Sequence, residues 1–177
     1  MESRTRRTAT PEEARALAHP LRLRILRLCR DQAFTNKQLA ERLGRDPGTV
    51  LHHVRTLVAT GFLAADEVRQ GDKGALEKPY RSTGKSWTLS LDEAAVEASP
   101  AQAMLEAFLA ELAEAGGPEA AAGFDRLALT LNKASLEELQ TRVQAIFDEF
   151  VSRPPDQDGE AYGLLFAMHR LAPDQAQ

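Results

Sequence analysis

The most constraining stretch of the chain runs from Thr35 to Leu63, TNKQLAERLGRDPGTVLHHVRTLVATGFL, because it encodes two short helices with a tight turn between them. Thr35 is a helix-capping residue and Gln38 follows three places later, the spacing at which side chain and backbone satisfy each other's free groups. Leu39, Ala40 and Leu43 share one face of this helix, and Gly44 stands where a left-handed residue stops it. Asp46 then caps a second start and Pro47 fits its first turn, where a missing N–H costs nothing. Val50, Val54, Leu57 and Val58 recur at helical spacing until Gly61. At about 100° per residue these four cluster on one side, leaving Thr49, His52, Arg55, Thr56 and Ala59 on the other. That outer face is small, polar and basic, which suits the major groove, where hydroxyls, imidazoles and guanidinium groups bond base edges and phosphates. The plainer alternative is a helical hairpin whose outer face meets water.

Charge separates the two readings. The net charge of −4 looks wrong for a nucleic-acid binder until it is divided along the chain. Residues 1–90 carry 17 lysines and arginines against 10 aspartates and glutamates, and residues 91–177 carry 5 against 16. The basic half has the electrostatic footprint of phosphate contact; the acidic half is repelled by DNA and belongs away from it. Solubility alone would explain the second half but not the first.

Three segments are expected: a flexible basic arm over residues 1–10 with Arg4, Arg6 and Arg7, a DNA-reading domain over 11–90, and an acidic region over 91–177. Thr10, Pro11 and Glu13 form a capping box, and the helix it opens breaks near His19 and Pro20. The next helix, to about Arg30, buries Leu21, Ile25, Leu28 and Cys29 and leaves Arg22, Arg24, Arg27 and Arg30 as a solvated face. Phe34 is placed as a hydrophobic staple for the helix after Thr35. Beyond Gly61 the period becomes alternating: Phe62 to Val68 and Leu76 to Ser82 read as two strands of a hairpin around a turn at 70–74, with Pro79 tolerable toward an edge. Lys85, Trp87, Leu89 and Leu91 alternate as an extended exit, with Trp87 packing the joint between the halves.

The runs LAHPLRLRILRLC and TNKQLAERLGRDPGTVLHHVRTLVATGFL resemble the winged helix-turn-helix domain of ArsR-type bacterial transcriptional regulators, most specifically at His19 to Arg22, Ile25-Leu26, Val50 to Leu57 and Gly61-Phe62-Leu63. The resemblance covers residues 11–88. It implies a dimeric, sequence-specific DNA binder, usually a repressor, with a recognition helix at 47–60 and a β-wing at 62–82. The DNA-binding residues expected on this basis are Thr35, Asn36, Lys37, Thr49, His52, His53, Arg55 and Thr56, with Arg69, Lys73, Lys78 and Arg81 on the wing.

In the acidic region, Ser99, Pro100 and Gln102 cap a helix whose Met104, Leu105, Phe108, Leu109 and Leu112 form a broad apolar stripe before Gly116-Gly117-Pro118. A lone helix cannot keep that stripe dry: it packs either on its own domain or on its copy in a second chain, and because two-fold symmetry is the commonest oligomeric solution a homodimer is expected. Leu127 to Leu131 alternate as in a strand, although Phe124, Leu127, Ala128 and Leu131 also fit a helix. A helix opens at Ser135, and Tyr162 to Leu171 is again strand-like. Strand, helix and strand suggest a βαβ crossover or a small sheet completed by a partner chain. The fold class is therefore α+β, mainly α: a winged helix-turn-helix domain followed by a helical or βαβ dimerisation region, with room for an unidentified small-molecule effector.

The single Cys29 is a core residue on this reading, and His52 and His53, about 100° apart on a helix, cannot chelate together. No cofactor or metal is expected, and no nucleophile, base or phosphate loop points to an enzyme. No apolar run has membrane length and MESRTRRTAT lacks a secretory signal's apolar core, which predicts a cytoplasmic protein with no membrane partner. The alternative function is a winged-helix interaction module that meets an acidic protein with its basic face.

Overall fold

The computed structural model describes residues 6–70, 74, 76–91, 99–125 and 127–170. In chain order its elements are β1 (Arg7–Thr8), α1 (Pro11–Leu17), α2 (Pro20–Leu28), β2 (Phe34–Thr35), α3 (Asn36–Leu43), α4 (Pro47–Ala59), β3 (Leu63–Ala65), β4 (Arg69–Gln70), β5 (Leu76–Glu77), β6 (Pro79–Ser82), β7 (Leu89–Ser90), α5 (Pro100–Glu114) and α6 (Lys133–Ser152). Mixed helix and sheet, with a hairpin behind two helices in tight succession, make this an α+β winged helix.

The helix boundaries follow their caps. Thr10 with Glu13 and Thr35 with Gln38 both form reciprocal capping boxes. Asp46 accepts from the backbone N–H groups of Gly48 and Thr49, and Gly44 closes α3 in the left-handed region at φ 58°. The break between α1 and α2 falls at His19, whose extended backbone precedes Pro20 and whose ring Nδ1 accepts from the Leu21 N–H.

These helices enclose one core. Leu17, Ile25, Cys29, Leu39, Val50, Val54, Leu57, Phe62 and Leu63 are buried almost completely. At about 1.5–3 kcal/mol for each large side chain, this cluster dominates the stability of the domain. Burial also pushes the Cys29 thiol up to about 11, which keeps it protonated and inert.

Several expectations need correction. Pro79 is not at an edge: β6 is the central strand of an antiparallel sheet ordered β2-β6-β3, with Phe34 opposite Tyr80 and Thr35 opposite Pro79. As the first residue of its strand it needs no ladder N–H, and its carbonyl accepts from Asp66. Phe34 does pack against α3 as expected, in one buried cluster with Leu39 and with the Arg42 guanidinium 4.2 Å above its ring, and it also belongs to β2. The wing tip is a separate antiparallel pair of β4 and β5.

Of the expected basic arm, Arg4 lies outside the described residues, but residues 6–10 are held in place. β1 pairs parallel with β7, Arg7 forms a two-point contact with the carboxylate of Glu13, and the Lys85 ammonium lies 2.7 Å from the same carboxylate. These cations hold the Glu13 carboxyl well below its usual range, Arg7 contributing most. The exit segment is also different: residues 85–88 form a 3-10 turn before β7.

The solvated arginine face of α2 needs a second correction. Arg24 is 6% exposed and its Nη2 donates to both carboxylate oxygens of Glu114, while Arg27 donates to Glu111. These two bridges and the small Ala103 and Ala107 seat α5 against the N-terminal helices. Arg22 turns back onto the carbonyls of Arg15 and Ala16.

No βαβ unit forms among the described residues. The described part of 121–170 outside α6 carries no strand, including 127–131 and the described part of 162–171. The α6 helix begins at Lys133 behind the cap Asn132, slightly earlier than the sequence suggests. It meets the N-terminal half of the chain at Trp87, whose Nε1 donates to Asp148 and whose ring stands edge-on to Phe147, as a joint residue should.

Candidate nucleic-acid interface

α4 presents its surface because its opposite side is consumed by the core. Val50, Val54 and Leu57 are fully buried, so the helix cannot rotate, and the residues roughly half a turn away must face outward. Thr49, His52 and Arg55 are exposed and Thr56 is half-buried. Among the described residues the Arg55 guanidinium makes no hydrogen bond or ion pair. The Thr56 hydroxyl donates to the His52 carbonyl, which leaves only its acceptor capacity for a ligand.

His53 is not part of this surface. It is 7% exposed, its ring centroid lies 4.3 Å from that of His19, and burial is the main cause that lowers its pKa to about 4. The physical reason is angular: position 53 falls beside Val50 and Leu57 on the helical wheel, not beside His52 and Arg55.

The start of α3 divides in the same way. Thr35 is buried and its hydroxyl accepts from the Gln38 N–H, so it is engaged as the cap of the helix. Asn36 donates from Nδ2 to the carbonyl of Pro47, tying the two helices of the motif together. Lys37 is exposed, 3.9 Å from Glu41. On the wing, Arg69 reaches Glu77 and Gln38, and Arg81 bonds Asp66 and the Asp31 carbonyl. Lys78 is exposed with its ammonium 5.9 Å from the Tyr80 ring centroid, and Lys73 lies outside the described residues. Arg45 was not among the expected residues. It sits exposed in the turn before α4 and makes no side-chain hydrogen bond or ion pair among the described residues. A cation in the turn ahead of a reading helix was signal enough to find it.

The exposed or half-buried polar side chains are therefore Thr49, His52, Arg55 and Thr56 on α4, with Lys37, Arg45 and Lys78 as exposed cations elsewhere among the described residues. Hydroxyl, imidazole and guanidinium groups on one exposed helix face can meet base edges, and these cations can meet backbone phosphates. Among the described residues no three of His, Cys, Asp and Glu are grouped to hold a metal ion, and no helix is long and apolar enough to cross a membrane.

This arrangement of α2, α3 and α4 is a helix-turn-helix, and residues 17–64 match the family model described as a helix-turn-helix domain, well under half of the chain. Among solved structures, the chain is similar to reduced HlyU from Vibrio cholerae at 22% identity and TM-score 0.33, over 38% of this chain and 65% of that one. It is similar to the adhesin competence repressor AdcR from Streptococcus pyogenes at 17% identity and TM-score 0.34, over 75% of this chain and 80% of that one. ZitR from Lactococcus lactis, as the C30AH42A mutant in apo form, gives 17% identity and TM-score 0.34, over 75% and 83%. The match thus spans just under two thirds of the HlyU chain. No curated protein matches the chain.

Proposed function

We propose that the protein is a sequence-specific DNA-binding transcriptional regulator, a homodimeric repressor of the ArsR type rather than an enzyme. One observation carries the reading: α4 is locked by a fully buried face and turns Thr49, His52 and the unpaired Arg55 outward, with Arg45 beside its N-terminus. The dimer is supported by α5, which buries small alanines against its own domain and leaves Met104, Leu105 and Leu109 at 36%, 47% and 53% exposure. Phe108 and Leu112 of the same stripe are half-buried.

The test is selection of bound sequences from a random duplex pool, followed by titration of the winner. A two-fold symmetric motif is expected, and Arg55→Ala should weaken binding to it by about 1–3 kcal/mol, the value of a bidentate base contact. Unselective recovery of the pool would sink the regulator reading and leave a basic face for an acidic protein partner.

A further inference from the structure

Two segments of the acidic half carry the side-chain alternation of strands without a strand partner. Neither helix, turn nor bend interrupts 127–131 or 161–170, and Asn132, just beyond the first, is extended at φ −77°, ψ 175°. In the first segment Leu127, Leu129 and Leu131 alternate with the smaller Ala128 and Thr130. In the second, Tyr162, Leu164, Phe166 and Met168 alternate with Gly163, Leu165 and Ala167. On a straight backbone the larger set of each falls on one side. Among the described residues neither 127–131 nor 161–168 makes a backbone–backbone hydrogen bond. Each is therefore a strand-like run with both edges open, and neither holds the charged or proline residue that blunts an edge.

The second segment is nonetheless fixed in place. Phe166 stands edge-on to Phe147 of α6, with ring centroids 6.3 Å apart. Gly163 lies beside α5, where a Cβ would stand 3.8 Å from Oε2 of Glu111. Its backbone is thus positioned by α5 and α6 while its own N–H and C=O groups find no mate.

Area and charge say what covers these edges. Leu127, Leu129, Tyr162 and Leu164 are 56–76% exposed, and Leu131, Phe166 and Met168 are 39–48% exposed. Ile146 and Phe150, near Phe147 on α6, are also exposed. At about 150–200 Å² for a large residue, these nine leave roughly 800–1,000 Å² open, and a standard interface takes about 800 Å² from each partner. Neither segment is charged, so neither a phosphate backbone nor an acidic peptide finds a cation there. The matching surface is another uncharged strand with one large-residue side, and each chain holds two. A second copy supplies them in equal number about a two-fold axis, where one surface meets itself.

We propose that 127–131 and 162–168 are strands of one intermolecular β-sheet that joins two copies of this chain. The proposal rests on the homodimer of the regulator reading and adds a backbone-paired contact to the α5 stripe.

Amide hydrogen exchange on the unmodified chain reads the backbone directly. Where sedimentation equilibrium shows a dimer, amides of both segments should exchange at least about a hundredfold more slowly than in an unpaired chain. A photoreactive benzoylphenylalanine in place of Tyr162 should cross-link to a second copy, with the link mapped to 127–131 or 162–168. Leu164→Asp should weaken the dimer at least about tenfold and expose the amides of 127–131 as well as its own, with helix content by circular dichroism unchanged. Fast exchange in a sedimenting dimer, links confined to one chain or landing elsewhere on the partner, or an unweakened Leu164→Asp dimer would each overturn the proposal and leave α5 as the contact. A chain that stays monomeric would overturn it together with the dimer. Selection from the duplex pool is read separately, so DNA binding stands or falls on its own.

Discussion

His53 is a histidine kept uncharged by its surroundings, first by burial and then by His19, Arg22 and His52. In the folded chain it takes a proton only near pH 4, whereas in the unfolded chain it does so near 6.5. As pH falls between those values the unfolded state binds the proton first. Stability is therefore full above about pH 6.5 and declines toward pH 4, by up to roughly 3 kcal/mol. His19 shifts in the same direction. Urea denaturation at pH 7 and pH 5 should show the loss, and His53→Phe should flatten part of it; an unchanged pH dependence in that variant would remove His53 as the cause. Arg24 shows where single residues outrun the sequence. The spacing of Arg22, Arg24, Arg27 and Arg30 reads as a wet face, because nothing local announces that Glu111 and Glu114 return from far along the chain to meet two of them.

The helices around the turn carry their own instructions, which is why they were legible. Thr35 with Gln38, Gly44 at φ 58°, and Asp46 ahead of Pro47 each act within four residues, so local chemistry decides them. Asp46→Ala removes the acceptor of two backbone N–H groups and should cost about 0.5–2 kcal/mol in thermal or chemical denaturation. Gly44→Ala has open space for its methyl group yet must hold a left-handed backbone, at a cost of roughly 1–2 kcal/mol. If Gly44→Ala were as stable as the parent, the left-handed stop would not be what ends α3. Strands were less legible because a strand exists only with a partner. Pro79 fell in a central position because β2, encoded far upstream, supplies the second neighbour of β6. The alternation from Leu127 to Leu131 is present, but among the described residues no backbone forms a ladder with it, and hydrophobic period alone does not make a strand.

At the level of the whole molecule, the acidic region exposes large apolar side chains in a quantity that a folded monomer seldom tolerates. Phe124, Leu127 and Leu129 stand 56–73% exposed, as do Ile146 and Phe150 at 55% and 58%, on the same half of the chain as the α5 stripe. The expected outcome is a dimer in sedimentation equilibrium, converted to monomer by Leu105→Glu with Leu109→Glu while helix content by circular dichroism stays the same. A parent chain that sediments as a monomer at micromolar concentration would contradict this. The division into a basic and an acidic half was visible in the sequence, but one use of it was not: carboxylates of α5 hold the arginines of α2.

Because Arg7, Arg24, Arg27, Arg69 and Arg81 already have internal carboxylate partners, far fewer cations can displace condensed counterions than the basic half contains. Arg45, Arg55 and Lys78 from each protomer of a dimer would neutralise about six phosphates, a logarithmic dependence on ionic strength with slope of about −5. A tally of every arginine and lysine before residue 90 would call for one several times steeper, so the measured slope counts how many positive charges the fold has left unclaimed.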